Sequence, residues 1–261
     1  MRTFVMGDIH GAYKALLQCL ERSAFDYEND RLIQLGDIVD GYPEIYKCVE
    51  ELLKVKKLIA IKGNHDDWFN SFIKTDFHPS SWNYGGKATL ISYLDHTGKN
   101  GKFFATGSGY KTALESKDIP ERHKAFFDSH LLYYVDEENR CFVHGGFDRH
   151  LPFDKQKKED FYWNRNLWVE ALHTHTYNRH IQLPEDFFDA VDFKEIYIGH
   201  TPTTKWGTDK PLRALNVLNL DTGAGHWGRL TIMDVVTKKY WQSDPLLELY
   251  TENFREGVLA H

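Results

Sequence analysis

The chain has 261 residues, 41% of them hydrophobic and 15% aromatic, enough to fill one core, so a single catalytic domain over 1–261 is expected. A formal net charge of −6 supplies no basic field to draw the protein onto a nucleic-acid polymer or an anionic membrane, and no apolar run approaches the ~20 residues of a membrane span. Cys19, Cys48 and Cys141 are odd in number, far apart and without metal-type spacing, which reads as reduced thiols in a cytoplasmic protein; a first strand at about Arg2 leaves no room for a secretory leader.

Residues 3–6 form a short apolar run that leads into Gly7-Asp8-Ile9-His10-Gly11, and Tyr13, Leu16, Leu17 and Leu20 then recur at helical spacing over 12–23. The same alternation follows twice. The run 32–35 leads into Gly36-Asp37-Ile38-Val39-Asp40 and a helix over 44–55; the run 58–61 leads into Gly63-Asn64-His65-Asp66. Strand–helix alternation predicts an α/β fold with a partly parallel sheet under helices. Residues 76–139, with helix-like stretches at 87–94 and 120–129, read as an insertion that shapes a cleft. A strand at 141–143 then carries His144-Gly145-Gly146, and 161–175 reads as one helix with Trp163, Leu167, Trp168 and Leu172 on a face. A strand at 195–198 leads into Gly199-His200-Thr201, and further strands are expected at 217–220, 229–235 and 239–241. Beyond Leu247 the pattern is weak.

Five strand ends thus deliver carboxylate, amide and imidazole groups to one place. Asp8 and His10, two residues apart beyond a strand, can share a cation, and Asp37 and Asn64 also follow strands directly. A carboxylate can bridge two divalent ions about 3.5–4 Å apart, and such a pair acidifies a shared water while clamping phosphoryl oxygens. The imidazoles of His144 and His200 suit manganese, iron, zinc or cobalt better than magnesium or calcium. Gly7, Gly36, Gly63 and Gly199 stand just before these residues, where a sharp turn and space for a substrate are expected.

This order of motifs resembles the calcineurin-like metallophosphoesterases, and more closely their phosphoprotein phosphatase branch, which includes bacterial serine/threonine phosphatases and symmetrical diadenosine tetraphosphate hydrolases; the likeness runs from Gly7 to about Asp234. It implies a four-layered αββα sandwich with mixed sheets and two divalent transition metal ions, manganese first, with iron, zinc or cobalt as alternatives. One ion would take Asp8, His10 and Asp37, the other Asp37, Asn64, His144 and His200. It further implies that His65, held by Asp40, protonates the leaving oxygen while a metal-bound hydroxide attacks in line. A carboxylate partner would keep that imidazole protonated and oriented.

Two departures stand out. The branch carries an arginine that grips the substrate phosphate immediately after the residue matched by Asp40, and here the chain reads Gly41-Tyr42-Pro43; Arg165, in a stretch similar to the site of a second such arginine, becomes the candidate clamp. Asp66 replaces a glutamate and is expected to matter little. Pro202 occupies a position where other metallophosphoesterases place a further histidine ligand, which favours this branch. The implied activity is hydrolysis of phosphomonoesters, first of phosphorylated serine or threonine in a protein, with diadenosine tetraphosphate as the alternative substrate and an inactive metal-containing binding module as the rival of another class. The partner is accordingly a phosphorylated protein or a small phosphorylated substrate. Of the other candidates, His226 in the Gly-rich stretch 221–228 reads equally as cleft-lining or turn residue, His173, His175 and His180 as surface histidines, and Trp82 with Tyr84 as core or cleft wall before nucleobase stacking.

Overall fold

The computed structural model describes residues 1–78, 82, 84–99, 104–106, 109–178, 193–253, 255 and 257–258. In chain order the elements are β1 (Thr3–Met6), α1 (Tyr13–Arg22), β2 (Arg31–Gln34), α2 (Ile45–Leu52), β3 (Lys57–Ala60), α3 (Asn64–Thr75), α4 (Gly86–Thr97), the hairpin β4 (Phe104–Thr106) and β5 (Gly109–Lys111), α5 (Glu121–Asp128), β6 (Tyr133–Val135) and β7 (Arg140–Val143). There follow α6 (Asp160–Trp163), α7 (Asn166–Asn178), β8 (Glu195–Ile198), β9 (Leu212–Ala214), β10 (Val217–Asn219), β11 (Thr231–Asp234), β12 (Tyr240–Gln242), α8 (Leu246–Leu249) and a last hairpin of β13 (Glu252–Asn253) and β14 (Gly257–Val258).

Two five-stranded sheets dominate, in the orders β12-β11-β1-β2-β3 and β6-β7-β8-β10-β9. Both are mixed. In the first, β1, β2 and β3 run parallel and β11 returns antiparallel to β1; in the second, β7, β8 and β10 run parallel between antiparallel edges.

Side-chain alternation along each strand builds the layers, because neighbours point to opposite faces. Phe4, Met6, Leu32 and Ile232 face a core roofed by α1 and α2, while Val5, Ile33 and Met233 turn the other way, toward Phe142, Tyr197 and Leu218 of the second sheet. Cys141, Val143, Ile196, Ile198 and Val217 then face a third core closed by Leu167, Trp168 and Ala171 of α7. Three apolar cores between helices, sheet, sheet and helix give the four-layered αββα sandwich. Between the sheets the Phe142 and Tyr197 rings stack with centroids 4.8 Å apart. The three cysteines are buried and free.

The reading of 161–175 as one helix requires correction. The chain breaks at Asn164, which is extended with ψ 129°, and its Oδ1 accepts the Leu167 N–H at 3.0 Å to start α7 anew. An uninterrupted amphipathic period concealed a capping residue. The break sets Arg165 between two helices.

His130, just before β6, lies against the Phe126 and Phe127 rings, centroids 4.8 and 5.2 Å away, with neither ring nitrogen hydrogen-bonded among the described residues. Burial, assisted by Lys62, pushes its pKa down to about 3. The folded value lies below the unfolded one of about 6.5, so this histidine's contribution is intact above that pH and is lost as pH falls toward 3. Urea unfolding at pH 7 and pH 5 should show that His130→Phe removes roughly 1–2 kcal/mol of the acid-induced loss seen in the wild type. Equal losses in the two proteins would assign the acid sensitivity elsewhere.

Candidate metal centre

The carboxyl ends of β1, β2 and β3 in one sheet and of β7 and β8 in the other open at the same rim, and Asp8, Asp37, Asn64, His144 and His200 follow them within four residues. Backbone bonds lock the loops together: the His10 N–H donates to the Asp37 carbonyl at 2.9 Å and the Gly199 N–H to the His144 carbonyl at 2.8 Å. His10, Asp37, Asp40 and His200 have φ of 50°, 54°, 68° and 64°, a left-handed conformation that costs non-glycine residues about a kcal/mol or more each. Site residues themselves therefore take several of the sharp turns, alongside Gly36 with φ 99°. This corrects the expectation for two of the preceding glycines: a Cβ on Gly63 would collide with Asp37 Oδ1, and one on Gly199 with Asp8 Oδ1, so the space they leave is occupied by carboxylates, not substrate.

The donor atoms face one cavity of about 250 Å³, lined by Asp8, His10, Asp37, Asn64, His65 and His200 among others. Asp37 Oδ2 is central, 3.4 Å from His144 Nε2, 3.7 Å from His10 Nε2 and 4.0 Å from His65 Nε2. Donors that share a cation with bonds of about 2.1 Å lie about 3–3.5 Å apart around it, so the His144 separation fits a shared ion. His10 Nδ1 donates to the Val39 carbonyl at 3.1 Å and His144 Nδ1 to the Leu35 carbonyl at 2.7 Å, which leaves both Nε2 atoms turned toward Asp37 Oδ2. The His200 Nε2 atom is buried with no hydrogen-bond partner among the described residues, and Asn64 Oδ1 lies 3.2 Å from His144 Nε2. Two triads have their donor atoms within 4.8 Å of one another, His10/Asp37/His65 and Asp37/His144/His200, and they share Asp37. The residues present fit divalent cations on either side of that carboxylate, with Asp8 Oδ2 3.9 Å from His10 Nε2 on one side and His144 and His200 on the other.

Protons reveal the same demand for positive charge. Burial, and then the nearby Asp221, raise the pKa of Asp8 well above the usual carboxylate range. Burial acts on Asp37 in the same sense, but His144 and His65 prevail and hold it well below that range, while Asp37 in return lifts His144 to about 9 against its own burial. Divalent ions would take over the compensation that these protons provide.

His65 lies in the first turn of α3. Its Nδ1 donates to Asp40 Oδ2 at 2.6 Å, and Asp40, fully buried, also accepts from Trp82 Nε1 at 2.7 Å and from the Thr89 hydroxyl of α4. Trp82 is thus part of the wall behind Asp40 and not a stacking platform; Tyr84, two thirds exposed, lies at the cavity edge. The small importance expected of Asp66 is also corrected. Buried at the start of α3, it accepts the N–H groups of Asp37 at 2.8 Å, Ile38 at 2.9 Å and Gly63 at 3.1 Å, and so clips the second motif to the third.

Arg165 reaches the cavity and donates through Nη1 to the His200 carbonyl at 2.6 Å and to Thr201 Oγ1 at 2.9 Å. His226 lines the same cavity. So do Asp221, Lys205 and Arg255, which sequence reasoning did not select. Asp221 follows β10 directly, as Asp8 follows β1, and that position was the available signal. No signal marked Arg255. His173 is exposed and His175 half-buried on α7, neither of them in a ligand group among the described residues; His180 lies outside those residues.

A calcineurin-like phosphoesterase family model matches residues 1–204. The chain is 36% identical over 235 residues, 88% of its length and 89% of the relative's, to serine/threonine-protein phosphatase 1 of Salmonella typhimurium. It is 24% identical over 159 residues, 60% of its length and 46% of the relative's, to a symmetrical bis(5'-nucleosyl)-tetraphosphatase of Pseudomonas fluorescens. A metallophosphoesterase structure from Sphaerobacter thermophilus superposes with a TM-score of 0.51 over 94% of this chain and 89% of that one at 16% identity, a likeness of fold. The chain belongs to the calcineurin-like phosphoesterase family. It is a metal-dependent hydrolase that acts on phosphoester bonds. Among the described residues no helix is long and apolar enough to cross a membrane.

Removing the Asp66 carboxylate leaves three buried N–H groups without acceptors, each worth about 1 kcal/mol or more. Asp66→Ala should therefore lose roughly 3 kcal/mol in urea unfolding and bind less metal by elemental analysis. A stable variant with full metal content would show that the clip is dispensable.

Proposed function

We propose that the protein is a phosphomonoesterase whose first substrate class is phosphorylated serine or threonine in proteins. The observation that carries this reading is the convergence of Asp8, His10, Asp37, Asn64 and His200 on one cavity, with His144 packed against Asp37 and Asn64, beside an imidazole that is held by its own carboxylate. Asp8, His10 and Asp37 would hold one ion, and Asp37, Asn64, His144 and His200 the other, with manganese the leading choice and iron, zinc or cobalt as alternatives. When bound, such a pair polarises phosphoryl oxygens and lowers the pKa of water. The relative that matches over nearly its whole length is named a serine/threonine phosphatase, whereas the tetraphosphatase match spans under half of that protein, which ranks the phosphoprotein ahead of diadenosine tetraphosphate.

The remaining work falls to the chain's own groups. His65 directs Nε2 toward the cavity and, with Nδ1 donating to Asp40, gives a proton to the leaving oxygen as the phosphorus–oxygen bond breaks. Asp40 keeps that ring oriented, and its bonds from Trp82 and Thr89 prevent it from rotating toward the cations. Arg165, preorganised by the His200 carbonyl and Thr201, offers its other guanidinium donors to a phosphate oxygen.

Manganese-loaded protein should release phosphate from p-nitrophenyl phosphate and from phosphoserine peptides, with lower kcat/KM on diadenosine tetraphosphate; the reverse preference would reassign the substrate, and no turnover with any of the four metals would sink the phosphatase reading. His65→Ala should reduce kcat on the phosphopeptide by about 10²–10⁴-fold, and less on p-nitrophenyl phosphate, whose leaving group needs no proton. Equal losses on both would argue against general-acid catalysis. Arg165→Ala should raise KM and lower kcat/KM about 10-fold or more. Unchanged constants would remove Arg165 from substrate binding.

A further inference from the structure

Residues beyond the family match return to the active-site cavity. The β13–β14 hairpin is tied to the Gly-rich loop by Asn253, whose buried side chain donates to the carbonyls of Gly225 at 3.2 Å and His226 at 3.0 Å and accepts the Arg255 N–H at 2.8 Å. From that anchor the Arg255 side chain runs inward through a channel bordered by glycines. A Cβ on Gly85 would lie 2.7 Å from Arg255 Cγ, one on Gly41 would lie 3.7 Å from Cδ, and one on Gly225 would strike Nη1. Arg255 Nη1 ends 2.8 Å from His10 Nε2, inside the cavity.

We propose that Arg255 is a substrate-phosphate ligand: the hairpin delivers its guanidinium past Gly41 to hold the phosphoryl group from the His10 side, opposite Arg165 on the His200 side. The proposal rests on the phosphatase reading for the identity of the anion.

Three observations carry it. The guanidinium has five N–H donors, its one side-chain partner among the described residues is His10, and its Nε is buried with no acceptor there, so it keeps capacity for a two-pronged contact with oxygens. Nη1 sits 2.8 Å from His10 Nε2, the lone pair that a cation would claim, so a bound ion would leave the guanidinium free for another acceptor in the cavity. Finally, Arg165 and Arg255 bring two like charges to the same cavity, where they repel. A dianion between the two guanidinium groups converts that repulsion into attraction. A hairpin arginine with a purely structural role would find a carbonyl or carboxylate on the surface and would not need glycine at Gly85 and Gly225 to reach a histidine in the cavity.

The test compares wild type, Arg255→Ala and Arg255→Lys, all loaded with manganese and checked for metal content. Arg255→Ala should retain both metals, show a KM for p-nitrophenyl phosphate raised about 10- to 100-fold, and bind inorganic phosphate correspondingly more weakly by calorimetry. Arg255→Lys should recover part of the KM, and ethylguanidinium should partly restore Arg255→Ala. Unchanged KM and phosphate affinity would overturn the proposal, as would loss of metal in Arg255→Ala with Arg255→Lys equally defective, which would make the arginine a support of His10. If the wild type itself hydrolyses no phosphoester, the phosphatase reading fails separately, and phosphate affinity alone still decides the role of Arg255.

Discussion

Burying the Asp37 carboxylate is the constraint on which the rest of the structure depends. Taking one charge out of water costs several kcal/mol unless it is compensated, and here the compensation comes from three imidazoles arranged around Oδ2. Each is held from behind, His10 by Val39, His144 by Leu35 and His65 by Asp40, so each approaches with a fixed ring nitrogen. That arrangement requires two sheets. The Asp37 loop comes from the first and His144 from the second, and the intervening core of Val5, Ile33, Phe142 and Tyr197 sets the distance between them. Packing within that layer, remote from any substrate, therefore controls the spacing of the donor atoms.

The local backbone follows from the same demand. Four candidate site residues adopt positive φ because their side chains must point back across the strand ends, and glycine appears where a carboxylate passes close to the chain. Asp66 offsets part of this strain by accepting N–H groups of both the second and third motifs. The residue behind the proposed general acid is embedded in the same way. Asp40 accepts from His65, Trp82 and Thr89, which couples helix α4 to the orientation of the imidazole.

Positive charge for an anionic substrate is supplied from outside the strand-end motifs. Arg165 enters through the break between α6 and α7, and Arg255 through a hairpin beyond the family match. Lys205 joins them at the wall. Arginine delivered from peripheral elements can differ between relatives without disturbing the donor cluster, since neither side chain contributes to the layers of the sandwich. Gly41 is then the gap past which Arg255 runs.

The layered α/β architecture, the strand ends and the residues that gather there were legible from the sequence, because strand alternation and short motifs are local, and a run such as Cys141–Val143 points to His144 without knowledge of any other element. The break at Asn164 escaped detection, since its capping bond is invisible to hydrophobic periodicity. Asp66 was undervalued because its carboxylate's worth depends on N–H groups about 30 residues earlier in the chain. Arg255 shows the limit most clearly. Its sequence neighbourhood carries no pattern, and its place beside His10 follows only from the long-range contacts of Asn253 with the Gly-rich loop and from the space left by Gly85 and Gly225. The sequence by itself determined which groups could do the chemistry; the tertiary structure alone decided which distant charges face them, because contacts between residues hundreds of positions apart leave no periodic trace in the chain.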